Sequence, residues 1–288
     1  MVARSFREVT RRTNEQHRAD KALDARSLQW LRERLQLACD VSETIAILRR
    51  QGCSENAIIA GFEAVRPRGN ALANGAMQAP PLLRRAPPEL HRIETTRFDA
   101  YTLDDFLSAK ECTQLIALID HHLKPSALEG AGAYREFRNS STAYLGDLRS
   151  PAAIAVDAKI CKTLGIRAEY SEGIQAQRYD VGQQFKPHWD YFEPDTDVYR
   201  RLAGVRGNRT WTFMVYLNDG MEGGATRFTE IDHAVQPKAG MALLWNNLLA
   251  DGSPNLATRH CGEPVTAGHK VIITKWFRVL GDGAVFYD

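Results

Sequence analysis

Two side chains that commonly bind metals stand two residues apart in the stretch QRYDVGQQFKPHWDYF, residues 177–192. His188 supplies an imidazole and Asp190 a carboxylate, just after a segment that is typical of a β-strand. Residues i and i+2 of a strand project from the same face, so strand geometry here would direct both groups to one point. Two ligands make an incomplete metal site, and a third is expected elsewhere in the chain.

Three later histidines lie in the β-rich part of the chain, namely His233, His260 and His269. His260 stands out by its surroundings, because it lies in the turn-rich stretch ATRHCGEPVTAGHKVIITKWF that leads into the longest predicted strand. We expect His233 to lie in a turn and His269 to point away from the face that carries its neighbour Lys270. His260 is therefore the best candidate for the third ligand.

That longest strand carries a lysine in an unusual position. Alternation places Lys270 on one face with Ile272, Thr274 and Trp276. A lysine among apolar neighbours is costly to bury unless its ammonium group meets an anion. The strand therefore predicts an anion-binding site near its start.

These parts explain one another if the metal is iron. Two histidines and one carboxylate form the facial triad of non-haem Fe(II) oxygenases, which leaves coordination positions open for a 2-oxoacid and O₂. His188, Asp190 and His260 would then bind Fe(II), and Lys270 would pair with the far carboxylate of 2-oxoglutarate.

The elements around these residues change in kind along the chain. Residues 1–64 have a helical pattern with Leu28 and Leu31 at helical spacing, and we expect a helical N-terminal appendage. Residues 65–92 hold five prolines and predict a linker or a strap over the surface. A domain of residues 93–288 should follow, and its first helix is signalled by the capping box of Ser108 and Glu111.

Beyond residue 170 the apolar period changes to two. Six short strand candidates separated by Gly, Pro, Asn and Asp predict a β-sandwich or barrel. Helices that precede a β core are typical of the α+β class.

Composition excludes several classes of partner. The 288 residues carry a formal net charge of +2, which gives no reason to expect nucleic acid, and no apolar run is long enough to predict a membrane span. The charged N-terminus lacks the apolar core of a secretory signal, so we expect a cytoplasmic protein. The five cysteines are scattered and predict neither a disulfide framework nor a thiolate zinc site.

Four motifs in this order resemble the 2-oxoglutarate/Fe(II) dioxygenases, and within them the prolyl 4-hydroxylase group: QAQRYDVGQQFKPHWDYF, RTWTFMVYLNDGMEGGATRF, VQPKAGMALLWNN and RHCGEPVTAGHKVIITKWF. The resemblance spans residues 95–280. It implies a double-stranded β-helix, or jelly-roll, core with flanking helices and with iron at one mouth.

The resemblance also assigns roles to single residues. His188, Asp190 and His260 match the iron ligands, and Lys270 matches the lysine that pairs with 2-oxoglutarate. Further matches line the cosubstrate pocket, namely Tyr179, Thr226 and Trp276. Arg138 lies near a segment that is associated with the peptide site, and Arg138 and Arg209 are candidate substrate contacts.

The implied activity is hydroxylation that depends on Fe(II), 2-oxoglutarate and O₂, with ascorbate as a supporting reductant. We expect the substrate to be a prolyl residue in a protein or peptide. The alternatives are a free cyclic amino acid or another small molecule, whose carboxylate would need Arg138, Arg209 or Arg259. A non-catalytic β-sandwich binding protein is the hypothesis from a different class, and the sequence leaves the oligomeric state open.

Overall fold

The protein is described by a computed structural model over residues 23–36, 41–65, 80–126, 138–148, 150–194, 196–203 and 206–281. The α-helices of these residues are α1 Ala25–Gln36, α2 Val41–Arg50, α3 Glu55–Val65, α4 Pro81–Arg85, α5 Ala109–Asp120, α6 Pro151–Leu164 and α7 Asp197–Leu202. The strands are β1 Leu90–Arg92, β2 Ala100–Leu103, β3 Lys124–Pro125, β4 Ser141–Tyr144, β5 Gln175–Asp180, β6 Phe185–His188, β7 Arg209–Tyr216, β8 Glu222–Gly223, β9 Thr226–Phe228, β10 His233–Val235, β11 Ala242–Asn246, β12 His260–Gly262, β13 Val265–Ala267 and β14 His269–Arg278. Within the described ranges, none of the helices has the length and apolar character that a membrane span requires.

Two antiparallel sheets form the β core. The major sheet has eight strands in the order β1-β2-β11-β7-β14-β5-β4-β3, and the minor sheet has four in the order β10-β9-β12-β6. Strands β8 and β13 pair in a separate two-stranded ribbon. This arrangement confirms the predicted α+β class with a jelly-roll core.

The two faces of the major sheet bury different cores, as the alternation of β14 predicts. Ile272 packs with aromatic residues between the two sheets, together with Phe228 of β9 and Trp245 of β11. Val271 and Ile273 point the other way and pack against the helices. The predicted parity of β14 is therefore confirmed, and it places Lys270, Ile272, Thr274 and Trp276 along one cavity.

Two helices cover the outer face of the major sheet. Helix α5 begins at the predicted capping box, where Ser108 accepts a hydrogen bond from the Glu111 backbone N–H and the Glu111 carboxylate accepts one from Ser108. Helix α6 begins with Pro151, at a position where proline costs no hydrogen bond. Leu115 and Ile119 of α5 and Ile160 of α6 are buried against the sheet.

The N-terminal helices α1, α2 and α3 pack on one another around Leu31, Leu48, Ile58 and Phe62. These three helices account for most of the described part of residues 1–64. Of the segment predicted as a linker or strap, residues 66–79 lie outside the described residues. The remainder packs on the sheet, because Leu82 joins the helix-side core and β1 pairs with β2.

Candidate metal centre and cosubstrate pocket

Two of the three predicted metal ligands lie on neighbouring strands of the minor sheet, and the third follows the end of one of these strands. His188 ends β6, His260 begins β12, and the two are paired residues in the antiparallel register. Asp190 lies two residues beyond the end of β6. The expectation that His188 and Asp190 share a strand is therefore wrong in detail, because the strand ends at the histidine and a turn carries the carboxylate back to it.

The ligand atoms converge on one small space. His188 Nε2 lies 3.8 Å from Asp190 Oδ1, and His260 Nε2 lies 3.9 Å from Asp190 Oδ2. The three donor atoms lie within 4.8 Å of one another, and His260 and Asp190 are both buried. Each imidazole contacts a backbone carbonyl through Nδ1, Lys186 O at 2.8 Å and Thr258 O at 3.0 Å, so that each ring presents Nε2 to the shared space.

The electrostatics of the cluster fit a divalent metal. Burial and, to a smaller extent, the neighbouring His260 lower the pKa of His188 to about 3, so His188 is neutral at pH 7 and able to ligate. Burial alone would raise the pKa of Asp190, but His260, His188 and Arg209 together hold it below its usual value. Two imidazoles and one ionised carboxylate are a donor set that suits non-haem iron.

Lys270 lies inside the β core with its ammonium group almost without partners. It is 1% exposed, and its Nζ donates to Gly224 O at 2.7 Å. Burial lowers the pKa of Lys270 to about 8, which Cys261 and Glu263 only partly oppose. In the described ranges no carboxylate oxygen lies within 4.0 Å of Nζ. A buried cation without a counter-ion predicts that an anion binds here.

The surroundings of Lys270 leave room for that anion. A Cβ added to Gly262 would lie 3.3 Å from Lys270 Nζ, so the missing side chain keeps the space beside the ammonium open. The ring of Tyr179 lies 4.7 Å from Nζ, and its hydroxyl donates to Gln177 Oε1 at 2.8 Å. Thr226 is buried nearby and its hydroxyl accepts a hydrogen bond from Tyr216.

All seven residues predicted for iron and cosubstrate line the same cavity between the sheets: Tyr179, His188, Asp190, Thr226, His260, Lys270 and Trp276. Their roles stay predictions, but the structure brings them together. Sequence reasoning missed Gln177, which lines this cavity and holds the Tyr179 hydroxyl. The pattern that could have identified Gln177 is the period of two in β5, which places residues 177 and 179 on the same face.

Arg209, predicted as a substrate contact, lies behind the metal ligands. Its Nε and Nη2 donate to the two Glu172 carboxylate oxygens at 2.7 Å each, and its Nη1 donates to Asp190 O at 3.3 Å. Its guanidinium stacks over Trp276 at 4.0 Å. Burial would raise the pKa of Glu172, but Arg209 and Arg278 lower it to about 2, so the charge of Arg209 is already matched by an ionised partner.

Arg138 is buried in a polar group next to Phe185, a residue that lines the cavity. It donates to Ser140 at 3.1 Å, Thr142 at 2.9 Å and Gln175 at 3.1 Å, and it lies 5.1 Å from the centroid of the Phe185 ring. These side-chain partners are all neutral. Among the described residues, Arg138 is thus a second buried cation that no carboxylate pairs with.

A jelly roll that directs two imidazoles and a carboxylate into its mouth, with a buried lysine deeper in the same cavity, defines the class of 2-oxoacid-dependent non-haem iron oxygenases. Comparison with known proteins agrees with this class. Residues 174–278 match the 2OG-Fe(II) oxygenase superfamily. This segment thus resembles a 2OG-Fe(II) oxygenase domain, and the relatives that match the chain are prolyl 4-hydroxylases.

Those relatives include prolyl 4-hydroxylase subunit alpha-1 from Rattus norvegicus, which is 35% identical over 147 residues, 51% of this chain and 27% of the relative. Prolyl 4-hydroxylase subunit alpha-3 from Homo sapiens is 32% identical over 182 residues, 62% of this chain and 33% of the relative. The chain thus spans about a third or less of the length of these curated relatives. Among solved structures, the viral collagen prolyl hydroxylase of Paramecium Bursaria Chlorella virus-1 is 26% identical, with a TM-score of 0.49 over 62% of this chain and 94% of that chain.

Proposed function

We propose that this protein is an Fe(II)- and 2-oxoglutarate-dependent hydroxylase that acts on prolyl residues of a protein or peptide. The observation that carries the proposal is the placement of two complementary sites in one cavity. One is a His-Asp-His cluster suited to a metal cation, and the other is the buried Lys270, which has no counter-ion among the described residues. Bound iron would supply O₂ activation coupled to the oxidative decarboxylation of 2-oxoglutarate.

The residues of the chain would bind and orient the iron and 2-oxoglutarate. His188, Asp190 and His260 would hold the iron, and the buried ammonium of Lys270 would bind the far carboxylate of 2-oxoglutarate. The Tyr179 hydroxyl, now bonded to Gln177, is close enough to the Lys270 cavity to donate to the same carboxylate. Aromatic and aliphatic walls, including Trp245 and Ile272, keep water away from these charges.

The relatives that match this chain support the choice of a prolyl substrate. Prolyl 4-hydroxylases recur among them, and one solved neighbour is a prolyl hydroxylase in complex with a peptide fragment. Arg138 is a second buried cation next to the cavity residue Phe185, and we place the substrate near it. A peptide would meet Arg138 with backbone carbonyls, whereas a free amino acid would meet it with its carboxylate.

The test is succinate formation by the purified chain with Fe(II), ascorbate, 2-oxoglutarate and O₂, for wild type and His188→Ala. Proline-rich peptides, free cyclic amino acids and no substrate are compared side by side. We expect peptides to raise succinate formation and to gain 16 mass units per turnover, roughly one oxygen atom, in wild type only. If only free amino acids raise succinate formation, the substrate is a small molecule and not a peptide.

Arg138→Gln sharpens the choice of substrate. This variant keeps a hydrogen-bond donor and removes the charge, so a peptide that offers neutral carbonyls should lose little of its affinity. A free amino acid should lose much more, because a charge-assisted hydrogen bond is about twice as strong as a neutral one. The KM values of wild type and variant for the stimulating substrate distinguish the two.

The alternative of a non-catalytic binding protein makes a different prediction. Such a protein would form no succinate above the His188→Ala background under any of these conditions. All four charged or ligating groups of the oxygenase site, His188, Asp190, His260 and Lys270, are present and converge. We therefore favour the enzyme.

A further inference from the structure

A chain of buried hydrogen bonds runs from the interior of the major sheet to the metal centre. The Trp245 indole Nε1 donates to Asn247 Oδ1 at 2.9 Å, and Asn247 Nδ2 donates to the Thr212 hydroxyl at 2.8 Å. The Thr212 hydroxyl in turn donates to Asp190 Oδ2 at 2.8 Å. Thr212 and Asn247 are 0% exposed, so water does not compete for these bonds.

The chemistry of the members allows only one direction for this chain. An indole N–H can donate but cannot accept, so Trp245 requires the carbonyl oxygen of the Asn247 amide. The amide nitrogen must then face Thr212, and a threonine hydroxyl that accepts this bond has its one proton left for the Asp190 carboxylate. The indole thus sets the orientation of a hydroxyl two hydrogen bonds away.

Trp245 also contacts a second ligand. Its ring meets the His260 ring edge to face, with centroids 4.8 Å apart, and Phe228 packs against both rings. The backbone of Asn247 is held on both sides, because its N–H donates to Thr210 O at 2.7 Å and its carbonyl accepts from the Asn255 N–H at 2.9 Å. The tryptophan therefore supports an imidazole directly and the carboxylate through two intermediaries.

We propose that Trp245, Asn247 and Thr212 form a one-directional positioning relay that holds the Asp190 carboxylate in the orientation in which it binds the metal. The hydrogen bond to Oδ2 orients the carboxylate so that Oδ1, which faces His188, is presented to the metal. The three residues are positioning residues, since they reach the metal only through its ligands. The inference rests on the metal centre and not on the identity of the substrate.

The test measures metal affinity without catalysis. Mn²⁺ is titrated into the full-length apo-protein, and free Mn²⁺ is followed by electron paramagnetic resonance. We expect Thr212→Val to weaken binding by about 10–100-fold, the usual cost of removing a support of a metal ligand, and Thr212→Ser to retain wild-type affinity. The absorption of bound Co²⁺ gives a second readout, whose ligand-field bands should shift in Thr212→Val and not in Thr212→Ser.

A matched control lies on the same strand. Thr210 is also 0% exposed, but its hydroxyl donates to Phe277 O, away from the metal. Thr210→Val removes an equally buried hydroxyl and should leave Mn²⁺ affinity near that of wild type. Equal affinities for Thr210→Val and Thr212→Val would overturn the relay, whereas a wild type that binds no Mn²⁺ would overturn the metal centre itself.

Asn247→Asp tests the direction of the relay with an isosteric change. An aspartate can still accept from Trp245, but it has no N–H to donate, and it would compete with Asp190 for the Thr212 proton. We expect Mn²⁺ affinity to fall as far as in Thr212→Val. Trp245→Phe, which lets the Asn247 amide turn over, should have a smaller effect. An unchanged affinity in Asn247→Asp contradicts the proposal even if Thr212→Val does not fold.

Discussion

Strand β14 carries two fully buried lysines, one on each face, and their surroundings are opposite in kind. On the helix side, Lys275 Nζ donates to the Asp157 carboxylate of α6 and to Glu172 O. On the cavity side, Lys270 donates only to Gly224 O and meets no carboxylate among the described residues. The first lysine has its counter-ion within the chain, and we expect the second to gain one only when an anion binds.

Two lysines five residues apart on one strand thus differ in what they are suited to: Lys275 to stabilising the fold and Lys270 to binding a ligand. A buried charge whose partner is part of the fold contributes to cohesion, although it also incurs a desolvation cost. A buried charge without a partner lowers the stability of the fold, and such charges are typical of binding sites. Substitutions at the two lysines should therefore change different properties of the protein.

Lys275→Met should destabilise the protein by about 3–5 kcal/mol, because it leaves the buried Asp157 carboxylate unpaired. Urea unfolding followed by circular dichroism measures this loss. Adding Asp157→Leu should restore much of the stability, since replacing both partners of a buried pair by apolar groups is often neutral. A single variant as stable as wild type would show that the pair contributes nothing.

Lys270→Met should have the opposite profile. Stability of the apo-protein stays unchanged or rises by about 1 kcal/mol, because an unpaired buried charge is removed. Affinity for 2-oxoglutarate falls by about 100-fold, equivalent to about 2.7 kcal/mol, since the loss of one partner of a buried charge pair costs about 2–5 kcal/mol. Calorimetric titration of the Mn²⁺-loaded protein measures the affinity, and retained affinity would place the cosubstrate elsewhere.

The pH dependence of the two lysines should differ as well. The pKa of Lys270 is lowered to about 8 from its ordinary 10.5, so in the apo-protein the unfolded chain binds more protons between these values. The contribution of Lys270 to stability is therefore unfavourable below pH 8 and improves as pH rises from 8 to 10.5. Affinity for 2-oxoglutarate should move the other way and fall by about tenfold per pH unit above pH 8.

Two variants isolate this titration. Lys270→Met should abolish the rise in apo-protein stability between pH 8 and 10.5. Lys270→Arg keeps its charge throughout this range and, to the extent that it binds 2-oxoglutarate, should show an affinity that does not change with pH. A wild-type affinity that is constant from pH 7 to 10 is incompatible with Lys270 as the cosubstrate cation.

Tyr179→Phe should have the smallest effect. The ring beside Lys270 remains, and only the hydroxyl is lost, so 2-oxoglutarate affinity should fall by about fivefold, the equivalent of one hydrogen bond of about 1 kcal/mol. Part of this loss comes from Gln177, whose Oε1 loses its donor. Gln177→Leu together with Tyr179→Phe distinguishes the two contributions, because recovery of affinity in the double variant assigns the loss to the unpaired Gln177 Oε1.

What could be predicted from the sequence depended on whether the pattern was local. The period of two in β14 placed Lys270 and Trp276 in the cavity because strand parity is a property of neighbouring residues. The same parity put Lys275 on the opposite face, but its importance was missed, since its partners Asp157 and Glu172 lie 118 and 103 residues away. Periodicity carries no information about such distant contacts.

The relay of Trp245, Asn247 and Thr212 was missed for a related reason. Threonine, asparagine and tryptophan are ordinary residues of strands and turns, and only the pairing of β7 with β11 brings them together. The metal ligands were found because histidine and aspartate are chemically distinctive and His260 stands beside the lysine-bearing strand. The position of Asp190 beyond the end of β6 was not predicted, because strand ends depend on pairing.

The central position of β14 in the major sheet also has a consequence for folding during synthesis. This strand lies between β7 and β5 and pairs with both, although it follows them by tens of residues along the chain. During synthesis, β5 and β7 emerge first and present unpaired edges until residue 278 has left the ribosome. The strand that completes the sheet also carries Lys270, so the proposed anion site would form in a nascent chain only once the sheet is complete. Binding of 2-oxoglutarate at Lys270 would therefore indicate that the sheet has folded completely.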